Sequence, residues 1–244
     1  MASPAHAADV YVDSITPGPE TAATYQGWHQ GYGGVTETFQ ADGLLFGSTG
    51  PSQVLNGLVA GGTNGLATTN ADLLALITSM TVEVASGQLT LQVPITADDG
   101  YAAPTSNGTW ATLRPAALVG PGPHTPAAGD LWRLSRTMPD IGNGALDTTP
   151  MPLSDLLEAL ENHGDQLRYS GFGVWADSTG TPAIPTVLES ITWGGDTYLF
   201  TPAPAAAPGI PPTGFDAAVP LALGALVLLA LGGTLFVLAR RRAA

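Results

Sequence analysis

The sequence predicts a mainly β protein: an antiparallel β-sandwich with two short helices, followed by a C-terminal transmembrane helix. Short segments of alternating apolar and polar residues recur over the first 200 positions, between turns rich in Gly and Pro. Only two segments before the tail have the apolar period of a helix. Many short strands with few helices favour a sandwich, with a β-barrel as the alternative.

Alternation places the strands. It predicts them at 8–15, 35–41, 53–59, 81–85, 88–93, 109–113, 131–135, 167–176, 186–193 and 197–201. The two-residue turn Ser86-Gly87 and the connection Gly194-Gly195-Asp196 each separate two such segments, so each predicts a hairpin. Segment 25–34 is rich in Gly and aromatic residues and is expected to be a loop, and 120–126, rich in Gly and Pro, is expected to be an exposed one.

The two helices are marked by caps and apolar faces. Asn70 is the expected cap of a helix over 70–79, and Ser154 that of a helix ending at Gly164. Apolar residues at helical spacing form the buried face of each helix, which comprises Leu73, Leu74, Ile77 and Met80 in the first and Leu153, Leu156, Leu157 and Leu160 in the second.

Composition excludes several classes of function. The chain has no cysteine, which rules out disulfides, thiolate metal sites and a thiol nucleophile. Between positions 8 and 213 there are four arginines, no lysine and 19 acidic residues (the chain's 20 less Asp216), a net charge of −15. So acidic a surface repels polyanions, and nucleic acid is therefore not an expected partner.

The C-terminal tail has the composition of a membrane span. The almost uncharged apolar run at 217–239 would form a helix of about 34 Å, enough to cross a hydrocarbon core of about 30 Å. Arg240, Arg241 and Arg242 follow it and are expected to remain on the cytoplasmic side as a membrane stop. Everything before the run is then expected outside the cell.

A pentapeptide precedes the span: Ile210-Pro211-Pro212-Thr213-Gly214. Together with the apolar run and the arginines, it resembles the sorting signal of Gram-positive surface proteins, whose pattern is Leu-Pro-any-Thr-Gly. The resemblance implies that a sortase cuts between Thr213 and Gly214 and joins the Thr213 carboxyl to an amine of the cell-wall peptidoglycan. Ile210 stands where that family has Leu. If Ile210 prevents cleavage, the same helix would keep the chain in the membrane as a single-pass protein.

The expected organisation follows an export-and-attach route. Residues 1–7, ending in Ala5-His6-Ala7, look like the remnant of a signal peptide. Residues 8–200 form the ectodomain, 201–209 a Pro- and Ala-rich spacer, and 210–244 the sorting signal. The resemblance implies a cell-wall or cell-surface location with a membrane-inserted precursor. Without lysine, the chain is not a pilus shaft subunit of the kind that polymerises through lysine.

No motif in the sequence names an enzyme. The Gly-x-Ser-x-Gly elbow, phosphate loops and His-Glu-x-x-His spacing are absent, and the four histidines lack metal-ligand spacing. We therefore predict no catalytic residue, no metal and no cofactor, and expect an adhesion or envelope protein. The alternative is a wall-tethered hydrolase with carboxylate catalysis, drawing on Asp42, Glu83 and Glu189.

Trp28, His29 and Tyr32 are the candidate ligand-binding residues, because flat rings on a flexible loop can stack on sugars or peptide side chains. The alternative is that these rings fold down over the sheet as anchors. The expected partners are sortase, peptidoglycan, the membrane through the C-terminal helix, and an extracellular ligand that the sequence does not identify.

Overall fold

A computed structural model of the chain describes residues 9–18, 25–32, 37–47, 51–59, 65–98, 110–138, 144–163, 166–177 and 185–204. The signal remnant at 1–7 and the sorting signal at 210–244 lie outside the described residues, as does most of the spacer. The chain divides into two compact units, Met1–Ala203 and Pro204–Ala244. No helix in the described part of the chain has the length and apolar character needed to cross a membrane.

The described part is mainly β, with two helices and more than one sheet. A seven-stranded sheet contains β1 (Asp9–Tyr11), β3 (Thr38–Gln40), β4 (Gly43–Phe46), β7 (Thr81–Ser86), β10 (Gly122–His124), β15 (Thr186–Trp193) and β16 (Asp196–Leu199). A nine-stranded sheet contains β2 (Gly27–Tyr32), β5 (Pro51–Gly57), β6 (Leu66–Thr68), β8 (Thr90–Asp98), β9 (Trp110–Pro115), β11 (Leu131–Leu134), β12 (Met151–Pro152), β13 (Gln166–Tyr169) and β14 (Gly171–Asp177). The helices are α1 (Asn70–Ser79) and α2 (Leu153–His163).

The seven-stranded sheet is built around β15. One edge of β15 pairs with β7, and the other pairs first with β4 and then with β16. These pairings are antiparallel, whereas β1 runs parallel to β16. The strand β15 thus joins the N-terminal and C-terminal parts of the described chain in one sheet.

The nine-stranded sheet is built around β8, whose one edge pairs with β9. The other edge of β8 pairs with β14 over the first half of β8 and with β13 over the second half. Two strands share this edge because Ser170 separates β13 from β14. Five neighbouring strands, in the order β5-β14-β8-β9-β11, form the part of this sheet that carries the candidate site.

Both sheets and both helices contribute to one hydrophobic cluster. Its fully buried members include Val82 from β7, Leu113 from β9 and Leu188 from β15. Helix α2 contributes the four leucines predicted to form its apolar face, and all four are buried. Of the four residues predicted for the first helix, Leu73, Ile77 and Met80 are fully buried, and Leu74 is half-buried.

The hairpin predicted at Ser86-Gly87 is wrong. Strand β7 pairs with β10 and β15 in one sheet, whereas β8 pairs with β9, β13 and β14 in the other. The chain crosses between sheets at Gly87, which has a φ of +76° and lies so close to Thr186 that a Cβ would overlap it. Both segments alternate because each buries one face in the shared core, and the same pattern would fit a hairpin.

The hairpin predicted around Gly194-Gly195-Asp196 is confirmed: β15 and β16 pair from Ser190↔Leu199 to Trp193↔Asp196, so the turn is two residues long and Asp196 begins β16. Both glycines have positive φ, 62° and 96°, as the tight turns favoured in hairpins require. The bounds of α1 match the predicted 70–79, but its N-cap is Thr69, whose hydroxyl accepts a hydrogen bond from the Asp72 N–H at 3.1 Å.

Two segments predicted to be loops contain strands. The aromatic segment contains β2, which pairs with β5, and the Gly- and Pro-rich segment contains β10, which pairs with β7. In both cases a long partner strand supplies hydrogen bonds to a sequence with little strand propensity of its own, and tertiary pairing overrides local preference.

Candidate functional site

The face of the nine-stranded sheet that is turned away from the core carries a groove. Successive strand residues point to opposite faces, so the buried Val54, Leu91, Leu113 and Val174 alternate with polar or aromatic neighbours on the other face. The neighbours come from five adjacent strands. At about 4.8 Å per strand spacing, these strands span about 19 Å.

Two adjoining depressions form this groove. The first has a volume of about 330 Å³ and is lined by Gln53, Gln92, Trp110, Thr112, Arg114, Ser135, Arg136 and Trp175. The second, of about 270 Å³, shares Arg114 and Trp175 with the first and adds Thr90, Pro115, Ala116, Leu118 and Arg133. We call the two together the arginine–tryptophan groove. The volume of the larger depression reaches the lower end of the range for small-molecule sites.

Positive charge is concentrated in the groove. It holds three of the four arginines in positions 8–213, while the fourth, Arg168, lies on β13 outside the groove lining. None of the described residues that line the groove is acidic, although positions 8–213 carry a net charge of −15. The groove is therefore a cationic site in an acidic protein.

Arg114 and Arg133 lie directly opposite each other on the antiparallel strands β9 and β11. Like charges at such positions repel. Burial lowers the pKa of the Arg114 guanidinium from its ordinary value, and the charge of Arg133 lowers that pKa further. Arg114 nevertheless remains protonated, because an arginine side chain is not deprotonated in a protein. An anion between them would relieve the repulsion.

Three donors in the groove have no hydrogen-bond partner among the described residues: Nε of Arg114, Nε of Arg133 and Nε1 of Trp175. Each is buried, and an unsatisfied buried donor costs stability. Proteins retain few such groups, so a cluster of three at one place calls for an explanation. Since these atoms have almost no accessible surface, a ligand in the groove would bond to the remaining guanidinium N–H groups.

The arginine side chains also lie over the tryptophan rings. The Arg136 guanidinium carbon is 4.3 Å from the centroid of the Trp110 ring, and that of Arg114 is 5.7 Å from the centroid of the Trp175 ring. Cation–π contacts of this kind hold a long side chain in place. The arginines are thereby partly ordered before any ligand arrives, which lowers the entropic cost of binding.

A glutamine pair bridges the groove floor. The Gln53 side-chain amide on β5 donates to the Gln92 side-chain oxygen on β8, across the intervening strand β14. Gly173 of β14 is in register with Gln92 and has no side chain to block the bridge. A Cβ at Gly173 would also overlap the Val54 carbonyl oxygen, so the close strand packing requires glycine there.

Ser135 is fixed at the far side of the groove. Its hydroxyl accepts a hydrogen bond from the Thr112 N–H at 2.9 Å, and its own N–H donates to the Thr112 carbonyl at 2.9 Å. Hydroxyl and amide side chains on a fixed sheet present donors and acceptors to hydroxyl-bearing ligands. Chemically, the groove combines anion binding, ring contacts and neutral hydrogen bonding, with little provision for proton transfer.

A more apolar cavity of about 400 Å³ adjoins the groove at Pro115, Ala116 and Leu118. Two of its polar groups already have partners: His124 donates from Nε2 to the Gly120 carbonyl at 2.7 Å, and Asp130 accepts from the Ala127 N–H at 2.7 Å. Leu118 and Leu131 at its rim are about half exposed. The cavity offers chiefly apolar contact, and the acidic residue among its described lining residues, Asp130, is exposed.

The sequence-predicted ligand residues lie elsewhere on this sheet, in β2. His29 is fully buried and donates from Nδ1 to the Gly27 carbonyl at 2.9 Å. Trp28 is half-buried and makes edge contacts with Phe172, Tyr198 and Phe200. This arrangement matches the alternative of rings folded down as anchors. The Tyr32 side chain is outside what the structure describes, and ligand binding by these three residues stays a prediction.

The carboxylates of the hydrolase alternative all belong to the seven-stranded sheet. Asp42 is exposed in the turn between β3 and β4, Glu189 is exposed at an irregularity in β15, and Glu83 is half-buried on β7. None of the three lines the groove or the apolar cavity. The described residues also contain no group of three or more histidines and carboxylates placed to hold a metal ion.

Sequence reasoning missed the groove, although one signal is present. Trp110, Thr112 and Arg114 alternate along β9, and Arg133 of β11 has the same spacing from Ser135, just after the strand. A strand whose outward face carries aromatic and cationic residues differs from the acidic remainder of the protein. Net charge conceals this signal, because a sum over the chain does not show how the charges are distributed over the surface.

No protein-family model, no curated protein and no solved structure matches the chain.

Proposed function

We propose that this chain is a secreted surface protein, anchored to the cell wall by a sortase, whose ectodomain binds an extracellular ligand in the arginine–tryptophan groove. The ectodomain is proposed to be an antiparallel β-sandwich, with the two sheets packed on the core they share. The observation that carries the binding proposal is the concentration of three arginines and two tryptophans on one sheet face, in a groove whose described lining contains no carboxylate.

Binding is favoured over hydrolysis by what lines the groove. A carboxylate-dependent hydrolase needs two carboxyl groups facing each other across the scissile bond. The described groove residues provide arginine, amide, hydroxyl and indole groups instead. Such groups recognise and orient a ligand but offer no general acid or base.

Anchoring is supported by the sequence of the tail: the pentapeptide Ile210-Pro211-Pro212-Thr213-Gly214, the apolar run and the three arginines in that order. Attachment to the wall would hold a binding face close to the envelope, because the spacer is short. A protein with this architecture would act as an adhesin or as a structural protein of the envelope.

The binding proposal is tested with the full chain purified in an uncharged polyoxyethylene detergent, which avoids the sugar head groups of common detergents. The protein is applied to arrays of glycans, synthetic peptides and extracellular proteins. We expect a ligand that the wild type binds and the Arg114→Gln/Arg133→Gln double variant does not. Arg168→Gln, which removes the arginine outside the groove lining, is the matched control and should bind normally. Equal binding by all three proteins, or no bound ligand, contradicts the proposal.

The anchoring proposal has its own experiment. Thr213→Ala/Gly214→Ala should leave the protein in the membrane fraction, whereas the wild type should be released only by enzymes that digest the wall. Ile210→Leu tests the departure from the usual pattern and should speed attachment if the isoleucine slows sortase. Wall linkage that is unchanged in the double variant would refute cleavage at this site.

A further inference from the structure

We infer that the ligand of the arginine–tryptophan groove is an acidic saccharide, whose negatively charged group lies between Arg114 and Arg133 and whose rings and hydroxyls contact the rest of the groove. This inference rests on the proposed binding function and specifies the chemistry of its ligand.

The positive charge of the groove favours an anionic ligand. Arg114 and Arg133 are cross-strand partners, and both line the same depression. Carboxylate, sulfate and phosphate oxygens accept the paired N–H groups of guanidinium in a planar arrangement. None of the described residues that line the groove is negatively charged, so an anionic group on the ligand would be the complement of this pair.

The neutral part of the groove favours a sugar. The floor carries Thr90, Gln92 and Thr112, with 6%, 2% and 3% of their surfaces exposed, and Gln53 and Ser135 flank them. Amides and hydroxyls both donate and accept, as sugar hydroxyls do. Trp110 and Trp175 add indole surface not covered by the arginines to the groove lining, against which the C–H groups of sugar rings can pack.

A peptide fits this surface less well. The groove lies across the middle of a sheet, where the main-chain N–H and C=O groups of β8, β9 and β14 already pair with neighbouring strands. A peptide therefore has no free strand edge to extend, and its own backbone groups would lose water without regular replacement. A saccharide has no peptide backbone and carries its polar groups on the ring.

A nucleic acid also fits less well, despite its phosphates. Polynucleotide binding draws on many cationic contacts along the backbone. The groove has three arginines, and positions 8–213 outside it hold 19 acidic residues and one further arginine. A short ligand with few charges can lie within the groove, whereas a long polyanion would extend over the acidic surface and be repelled by it.

The test is isothermal titration of the full chain, in the same uncharged detergent, with three acidic saccharides and one neutral saccharide. The acidic probes are a short oligogalacturonate, a short heparin-derived oligosaccharide and a short oligosaccharide joined by phosphodiesters, which present carboxylate, sulfate and phosphodiester groups. A malto-oligosaccharide of similar length is the neutral probe. Poly-glutamate peptide and a short oligothymidylate represent the two other ligand classes.

We expect at least one acidic saccharide to bind at least about tenfold more tightly than the neutral one. Because hydrogen bonds to charged groups are strong, Arg114→Gln or Arg133→Gln should each weaken that binding by about ten- to a hundredfold. Arg168→Gln should leave it within about twofold. Affinity should fall as salt is raised, since part of the attraction is Coulombic. The acidic probe that binds best identifies the source of the anionic group.

Several outcomes overturn the inference. Equal affinity for acidic and neutral saccharides would show that the arginine pair does not select an anionic ligand. If the peptide or the oligonucleotide instead binds more tightly than every acidic saccharide and loses that binding in the Arg114→Gln/Arg133→Gln variant, the groove binds a ligand of another class. That result contradicts the inference but agrees with the proposed function. If no probe binds, the acidic-saccharide inference fails, and the broader arrays decide separately whether the groove binds anything. Thermal unfolding of each variant verifies that it is folded.

Discussion

Arg114 and Arg133 face each other on adjacent antiparallel strands, and both line a groove in which no described residue is acidic. Two positive side chains opposite each other destabilise a sheet. A protein with 19 acidic residues in positions 8–213 could readily have neutralised the pair. Such a cost is typical of functional sites, where stability is given up for binding or catalysis.

Removing one member of this arginine pair should stabilise the fold while it weakens binding. We predict that Arg133→Gln raises the midpoint of thermal unfolding by about 0.5 to 4 °C, because relief of a cross-strand like-charge pair is worth about 0.2 to 1 kcal/mol. Circular dichroism of the unliganded chain measures the shift. Arg168→Gln removes the same charge elsewhere and should not raise the midpoint. A lower midpoint for Arg133→Gln than for Arg168→Gln would show that the pair is not destabilising.

Gly173 should tolerate no side chain. In Gly173→Ala the added Cβ meets the Val54 carbonyl oxygen, and overpacking of this kind costs about 1 to 3 kcal/mol. The variant should unfold at a lower temperature. Gly129→Ala, at a glycine with open space around its Cβ position, is the matched control and should be nearly neutral. Unchanged stability of Gly173→Ala would mean that β5 and β14 lie further apart than described.

Alkaline pH should destabilise the fold through two tyrosines. Burial raises the pKa of Tyr169 above its ordinary value of 10.0, and burial followed by the charge of Asp196 raises that of Tyr198. The unfolded chain therefore loses these protons first. The stability they contribute is complete below about pH 10 and is lost as pH rises through the folded-state values.

The midpoint temperature of unfolding, measured between about pH 8 and pH 11, should therefore decrease as the pH approaches about 11. Tyr169→Phe/Tyr198→Phe should make the decline shallower, because phenylalanine has no proton to lose. An equally steep decline in the double variant would assign the alkaline sensitivity to other groups.

Local signals in the sequence are enough to predict the helices and the hairpin between β15 and β16. The leucines at helical spacing in α2 are buried as predicted, and Gly194-Gly195 forms the expected turn. In each case the determining interactions lie within about a dozen residues of one another. A single sequence carries such information directly.

Pairing between distant strands is not predictable in the same way. The alternating segments on either side of Gly87 enter different sheets, and their pattern reports burial without naming a partner. The groove depends on the same missing information, since Gln53, Arg114 and Trp175 meet only once the order of β5, β14, β8 and β9 is known. Alternation predicts a polar face on several strands, but the fold is needed to join those faces.

Nuclear magnetic resonance of the indole N–H groups tests most directly whether the ligand occupies the arginine–tryptophan groove. The chain has five tryptophans, and single Trp→Phe variants assign their indole signals. On addition of the best acidic saccharide, we predict large shifts for Trp110 and Trp175, which line the groove, and small ones for Trp28, Trp132 and Trp193, which pack on or in the core. Shifts concentrated on Trp28, with those of Trp110 and Trp175 unchanged, would contradict the account and place the ligand at β2.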